Sequence, residues 1–412
     1  MNLTQGNIKY FRSLYDINLS FKPLTIIIGP NASGKSNLFK ALRFLYDGIA
    51  GDRLDWQTYD GQMDELLWYG YDDYGERPNA LDFNFGFGEF SDDLPVTQYI
   101  ANLICGDYLE VSHEKLAVLL NTGDESLTTY FERDRGSIRQ NIGQRGNKLK
   151  NPARSQAQSS RVLQLREEGP SIRLPNAKAV YSHIAGWRFF DVNLQSARQD
   201  AFIPQYPETV PPLAGDANNL SAFLYALYQV RPEDLDAIIE TMIDFIELPQ
   251  SLLVDHDAER GGQTARYRFV EQPFGENRLI PPESMSDGTI RLLAHLALLL
   301  ADRSVTLACL EEPDNGLHPR LMLYLADIFR QAVEPLDTGG NEVPSSPQII
   351  VTTHSPDFMD CFDLEAEAEY LQVYVAERDE GGRTIYTSTN AQQLKPWLQR
   401  YRLGEAVRRR FI

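Results

Sequence analysis

The feature that most constrains this chain is the run Gly29-Pro-Asn-Ala-Ser-Gly34-Lys35-Ser36, set between two segments of different periodicity. Before it, Leu24-Thr-Ile-Ile-Ile28 is short, apolar and rich in β-branched residues, as strands buried in a parallel sheet are. After it, Leu38, Ala41, Leu42 and Leu45 follow the i, i+3, i+4, i+7 spacing of a helix with one apolar face. A buried strand that feeds a helix through a tight loop predicts an α/β fold. The chemistry of the loop follows from its spacing. Two glycines let the backbone wrap so that successive N–H groups face one anion, and the helix adds its positive N-terminal end. The GxxxxGK[ST] pattern therefore predicts a phosphate cradle built from Gly29, Pro30, Asn31, Ala32, Ser33, Gly34, Lys35, Ser36 and Asn37. Lys35 is expected to reach the β- and γ-oxygens, and the Ser36 hydroxyl to coordinate Mg²⁺.

The last third of the chain repeats the strand-then-polar-cluster pattern. Val305-Thr-Leu-Ala-Cys-Leu310 ends in Glu311-Glu312-Pro313-Asp314, and Gln348-Ile-Ile-Val-Thr-Thr353 ends in His354-Ser355-Pro356. Ligands of doubly wound sheets sit at the carboxyl ends of strands. Glu311 is thus the candidate metal ligand, Glu312 the candidate base for an attacking water, and His354 a candidate γ-phosphate contact. Cys309, inside the strand, reads as a small buried hydrophobe. Ser286-Asp287-Gly288 precedes a helical pattern through Ile290, Leu293, Leu296 and Leu300. Ser286 is an ordinary helix N-cap there, and the same helix end could serve a second phosphate, offered to the nucleotide of another subunit. Helices are predicted near 287–301 and 319–333 and strands at 305–310 and 348–353, a βα alternation that predicts a parallel sheet.

Composition sets the class. The 412 residues hold 39 Lys+Arg against 58 Asp+Glu, for a net charge of −19. That length exceeds one small domain. At 42% hydrophobic and 24% charged, the chain reads as an ordinary globular protein rather than a disordered one. The longest apolar stretch, Leu292 to Ala301, is broken by His295, so no membrane helix is expected. No signal peptide is indicated at the N-terminus. Cys105, Cys309 and Cys361 form no CxxC, which favours a reducing cytoplasm. The charge is uneven: residues 51–93 carry a net −10, whereas 133–161 carry +7 through Arg133, Arg135, Arg139, Arg145, Lys148, Lys150, Arg154 and Arg161 against Asp134. The basic stretch is either a contact for DNA or a partner, or a flexible charged hairpin. Phosphate contacts there would weaken as salt rises. Residues 81–120 alternate in strand fashion, and Pro232 to Leu248 has an apolar helical face of Leu235, Ile238, Ile239, Met242 and Ile246. No repeat and no sustained heptad pattern is found, so long coiled-coil arms are not expected.

Taken together, IKYFRSLYDINLSF, LTIIIGPNASGKSNLFKAL, MSDGTIRLLAHLALL, CLEEPDNGLHP and IIVTTHSP resemble the ABC-type ATPase core. The branch they resemble is that of RecF, SMC and OLD-like AAA proteins, without a Toprim nuclease domain. The resemblance covers about 1–45 and 281–360 well and the middle loosely. It implies a P-loop NTPase of ABC type: a mostly parallel sheet flanked by helices, with an antiparallel β lobe and an inserted helical region. The lobes expected are 1–130, an insertion at 131–280, and 281–412. Carried over, Lys35 and Ser36 form the Walker A pair, Glu311 the Walker B acid and Glu312 the catalytic carboxylate. Ser286, Asp287 and Gly288 become the signature acting in trans, His354 the switch histidine, and Asn315, Gly316 and His318 the D-loop. Arg12 matches a nucleotide-contacting position. Glu311 stands where most of the family has Asp, and the Q-loop glutamine is not placed, Gln98 being a candidate by order alone.

The activity so implied is a cytoplasmic Mg²⁺-dependent ATPase that dimerises, or forms a higher oligomer, around ATP. It would act as sensor or scaffold in DNA repair or anti-phage defence, with a separate nuclease as effector and no membrane partner. Only 58 residues follow His354, too few for a Toprim nuclease, and no HNH pattern is found. The alternatives are the nucleotide-binding subunit of an ABC transporter, and a P-loop kinase or GTPase. The first must accommodate 275 positions between Ser36 and Glu311, and the second leaves the signature and His354 unexplained.

Overall fold

In a computed structural model the described residues are 1–51, 62–90, 96–119, 128–134, 137–140, 153–156, 163–168, 170, 175–203, 207–245, 251–256, 264–271, 276–333 and 346–389. They form two compact units. One comprises Met1–Trp187 with Tyr370–Asn390, and the other Arg188–Glu369. The last strands among the described residues belong to the first unit.

The first unit opens with β1 (Asn2–Phe11) and β2 (Leu14–Ser20), an antiparallel pair. The buried strand β3 (Leu24–Ile28) then leads through the phosphate loop into α1 (Lys35–Ile49). A short turn of helix, α2 (Met63–Leu66), follows. Next come β4 (Ala80–Gly88), β5 (Val96–Cys105), β6 (Leu109–Leu119), β7 (Thr128–Asp134), β8 (Ser137–Gln140) and β9 (Ala153–Gln156). These six join the first two in an eight-stranded sheet of order β2-β1-β4-β5-β6-β7-β8-β9, every pairing antiparallel. The helices α3 (Gln164–Glu168) and α4 (Pro175–Ala185) complete this part of the unit.

The alternation of β4 explains its place. Leu81, Phe83, Phe85 and Phe87 are fully buried, while Asp82 and Asn84 stay partly exposed. Phe44 of α1 stacks on Phe83 with ring centroids 5.8 Å apart, and Phe11 packs on both. Burying each such ring contributes about 2–3 kcal/mol. The helix that follows the phosphate loop is therefore anchored to the antiparallel sheet through its Phe44 face.

The second unit runs from β10 (Trp187–Phe190) through α5 (Leu194–Ala197) and β11 (Ala201–Phe202) to α6 (Leu220–Val230) and α7 (Pro232–Phe245). A small antiparallel sheet follows: β12 (Ser251–His256) and β11 pair with β13 (Thr264–Glu271), as does β14 (Arg278–Ile280). The helix α8 (Asp287–Leu296) continues as a π turn to Ala301. Then come β15 (Leu307–Glu311), α9 (Pro319–Val333), β16 (Gln348–Thr353) and the single turn α10 (Pro356–Met359). β15 and β16 pair in parallel, as the βα alternation predicts. The chain then returns to the first unit as β17 (Leu371–Arg378), parallel to β3, and β18 (Thr384–Thr389), antiparallel to β17.

The expectation of a mostly parallel sheet needs correcting: the largest sheet is antiparallel. Parallel pairing needs a crossover of a dozen or more residues, whereas no more than eight residues separate successive strands from β4 to β8, too few for one. No helix among the described residues is long and apolar enough to cross a membrane.

Candidate functional site

The candidate residues fall into two sets, one on each unit. On the first, Gly29 is buried at the end of β3, and its missing side chain is required because a Cβ there would strike the Ala376 carbonyl on β17. Ala32 (φ 63°) and Gly34 (φ 100°) both take left-handed backbone, which turns the loop back on itself. Lys35 is buried, and its ammonium donates to the carbonyls of Gly29 (2.7 Å) and Pro30 (2.9 Å), so it lies across the mouth of its own loop. Gly34 caps α1 without a side-chain bond, and the first turn holds no acidic residue. A fifteen-residue helix thus presents its N-terminal N–H groups with neither a capping oxygen nor a carboxylate, which suits an anion. Asn37 faces the other way, donating from Nδ2 to Ser13 Oγ at 2.7 Å. Pro30 and Asn31 are exposed at the tip.

Arg12 stands at the β1–β2 turn with φ 52°, and Tyr10 beside it has φ 63°. The Arg12 Nε is buried with no hydrogen-bond partner among the described residues. Two left-handed non-glycine residues, one at the end of β1 and one in the turn, store strain of order 1–3 kcal/mol each. Gln98 lies on β5 and donates to Asn84 Oδ1 across the strand pair at 3.0 Å.

On the second unit, Glu311 ends β15 opposite Thr352 of β16. Glu312 follows with φ 44°, held there by its N–H to Thr352 O (2.9 Å) and by Asn315 N–H to its own carbonyl (3.0 Å). Its Oε1 lies 3.1 Å from His354 Nδ1, with both side chains partly open to solvent. Asp314 is buried. Its Oδ2 accepts from Thr353 Oγ1 at 2.9 Å, and Ser355 N–H donates to that same hydroxyl at 3.0 Å. Burial pushes the Asp314 carboxyl above its ordinary value, and the Thr353 hydroxyl works against that shift. Asp314 and Thr353 thereby tie the loop after β15 to the loop after β16, which fixes Glu312 beside His354. Neither was singled out from the sequence, although both sit inside the two polar clusters.

Ser286 caps α8, accepting from Thr289 N–H at 3.2 Å, and both Ser286 and Asp287 are exposed. Gly288 is buried, and the close approach it permits is to Leu321 and Leu317, which a Cβ would meet at 2.9 and 3.3 Å. Arg198 holds this segment: it donates to the carbonyls of Pro282 (3.2 Å) and Met285 (3.0 Å) and pairs with Asp287 at 2.6 Å. A contact across 89 positions leaves no mark in the local sequence. Asn315, Gly316 (φ 73°) and His318 form an exposed turn.

The basic stretch divides. Arg133 is 1% exposed, beside the equally buried Glu114, so it belongs to the core and is unavailable to nucleic acid. Glu114 accepts from Tyr99 OH (2.9 Å) and from the N–H groups of Gln164 and Leu165. Burial outweighs these donors and raises its carboxyl to about 7. Arg139 and Arg154 are register partners on β8 and β9. Arg135, Arg145, Lys148, Lys150 and Arg161 lie outside the described residues.

A magnesium ion would need hard oxygen donors, and the Ser36 alcohol with the Glu311 carboxylate have that chemistry. Among the described residues no cluster of three or more His, Cys, Asp or Glu gathers as a metal cage.

The phosphate loop is of the P-loop ATPase kind, and the fold is that of the ABC-type, SMC-like heads. The closely covered structures agree. A SmcHead bound to the C-winged helix domain of ScpA matches with a TM-score of 0.55 at 13% identity, over 95% of this chain and 99% of that one. An Smc head domain with an extended coiled coil, bound to the C-terminal domain of ScpA derived from Pyrococcus furiosus, matches at 0.51 and 12% identity, over 97% and 98%. No curated protein matches. Residues 24–360 match the family described as AAA domain, putative AbiEii toxin, Type IV TA system, and the chain belongs to that family.

Proposed function

We propose that the chain binds and hydrolyses ATP with Mg²⁺, as a dimer that closes around two nucleotides. The observation that carries the reading is the N-terminus of α1, uncapped and free of acid, with the buried Lys35 beside it. The backbone N–H groups of the loop and the Lys35 ammonium would cradle the β- and γ-phosphates, Lys35 exchanging its carbonyl partners for phosphate oxygens. Bound Mg²⁺, held by Ser36 and Glu311, would neutralise charge that develops on the phosphates. Glu312 takes the proton of the attacking water, and His354, within hydrogen-bond reach of it, orients the carboxylate. Ser286 and Asp287 are exposed at the start of α8, as residues offered to a second copy's nucleotide must be.

The biological role we assign is that of a RecF/OLD-like sensor or scaffold whose effector is another chain. Two points support this. The family description names a toxin of a toxin–antitoxin system, which favours defence over DNA repair. Both head structures of similar fold are bound by a separate protein.

The test is Glu312→Gln with Mg-ATP in solution. Hydrolysis should fall by about 10²–10⁴-fold, the share of a general base, and light scattering should find a stable dimer. A monomer with normal turnover refutes the proposal.

A further inference from the structure

The clasp on the phosphate loop comes from the far end of the chain. Thr384, the first residue of β18, is buried, and its Oγ1 donates to the Ser33 carbonyl at 3.0 Å. A carbonyl can only accept, so this bond uses the one hydroxyl proton Thr384 has. The 2.6 Å contact between Ser13 Oγ and Thr384 Oγ1 must then be donated by Ser13. Ser13 in turn accepts from Asn37 Nδ2 at 2.7 Å. The direction of every proton is thus fixed along Asn37, Ser13, Thr384 and the Ser33 carbonyl. The backbone repeats the link: Thr384 N–H donates to Ser13 O at 2.8 Å, and Tyr386 OH donates to the Gly34 carbonyl at 3.2 Å.

The consequence lies in the peptide plane. In a trans peptide the C=O of one residue and the N–H of the next point in opposite directions. Pinning the Ser33 carbonyl toward Thr384 aims the Gly34 N–H away from β18. The Gly34 carbonyl also accepts from Asn37 N–H at 3.0 Å, as an N-cap carbonyl does, so the helix itself helps to orient it. The Ser33 carbonyl has no such helical partner, because Gly34 has left the helical region at φ 100°. Gly34 is also the residue that lets the hairpin come this close: a Cβ on it would collide with Thr384 Oγ1.

We propose that Thr384 is a positioning residue of the phosphate cradle, its hydroxyl setting the Ser33–Gly34 peptide so that the Gly34 N–H faces the nucleotide's phosphates. The inference rests on the nucleotide-binding reading above and adds to it a residue 349 positions after Lys35. Thr384 touches no reacting atom; it acts through the backbone it holds.

The experiment is calorimetric titration of the full chain with Mg-ATP and, separately, with inorganic pyrophosphate. Thr384→Val keeps the shape and removes the donor; Thr384→Ser keeps the donor and loses a methyl. For Thr384→Val we expect Kd to rise about tenfold for both ligands with stoichiometry unchanged, the loss of one well-placed hydrogen bond. Thr384→Ser should stay within about twofold of wild type on the same basis. A Thr384→Val chain that binds at the wild-type Kd overturns the role, as does one whose stoichiometry falls at constant Kd, the mark of partial unfolding. A serine variant as weak as the valine one also overturns it. If the wild-type chain binds neither ligand, the nucleotide reading itself falls.

Discussion

The two ends of the proposed chemistry are built differently. The phosphate loop of the first unit is held almost entirely by neutral hydrogen bonds: Thr384 on the Ser33 carbonyl, Tyr386 on the Gly34 carbonyl, and Ser13 and Asn37 behind them. Its lysine is buried against backbone carbonyls. The strand ends of the second unit instead carry charge in partly open positions. Glu312 is held in a left-handed conformation, His354 lies beside its carboxylate, and Asp314 is buried below them as the internal tie. Neutral clasps cost little desolvation and fix a shape, which suits a binding surface. A strained carboxylate stabilises the fold less but is aimed, which suits a group that must move a proton. On the proposed function, the first region is organised for binding and the second for turnover.

Substitutions sharpen this comparison in decreasing order of effect. Glu312→Gln comes first, since it should abolish turnover while leaving the phosphate loop able to hold ATP. Thr384→Val comes next and should do the reverse, weakening binding while Glu312 and His354 stay in place. Glu312→Gly separates strain from chemistry within one residue. Relieving φ 44° should raise stability by about 1 kcal/mol, read as a higher denaturant midpoint, while hydrolysis stays lost. A lower midpoint would mean that the left-handed turn carries no strain and that the contrast between the regions is misdrawn.

The smallest effect belongs to the buried carboxyl of the first unit. Glu114 is raised from an ordinary 4.5 to about 7 by burial. Between those values the folded chain binds more protons at this group than the unfolded chain. Its contribution to stability is therefore present below about pH 4.5 and lost as pH rises through about 7. The fall in melting temperature between about pH 5 and about pH 8 should be smaller in Glu114→Gln than in wild type, because the variant has no proton to lose. An identical fall in both would place the proton elsewhere. His183 and His295, driven down by burial to about 3 and about 4, act at the acid end and are common to both proteins.

Local signals carried much of the reading. The strand, loop and helix from Leu24 to Ile49, the capped start of α8 and the two strand ends at Glu311 and Thr353 lie where periodicity and spacing put them. What the sequence concealed is long-range and chemically ordinary. Ser13 and Thr384 are common residues 371 positions apart, and nothing local marks them as partners. Arg133 read as one member of a basic surface because its counter-charge, Glu114, belongs to another strand. Alternation made strands legible over residues 81–120, but not the extent of the sheet, since β7 to β9 lie beyond that stretch and β1 reaches β4 across some seventy intervening residues. Nor does anything local to Gly288 announce that Leu317 and Leu321 pack where its Cβ would be.

The central claim is that each ATP is held by the phosphate loop of one copy and the signature of another. Mixing a Lys35→Ala chain with a Ser286→Arg chain tests it most directly. Each alone lacks a complete site, whereas a mixed dimer regains one of two. Random pairing should restore about a quarter of the wild-type hydrolysis rate. A mixture no more active than either parent would contradict the account.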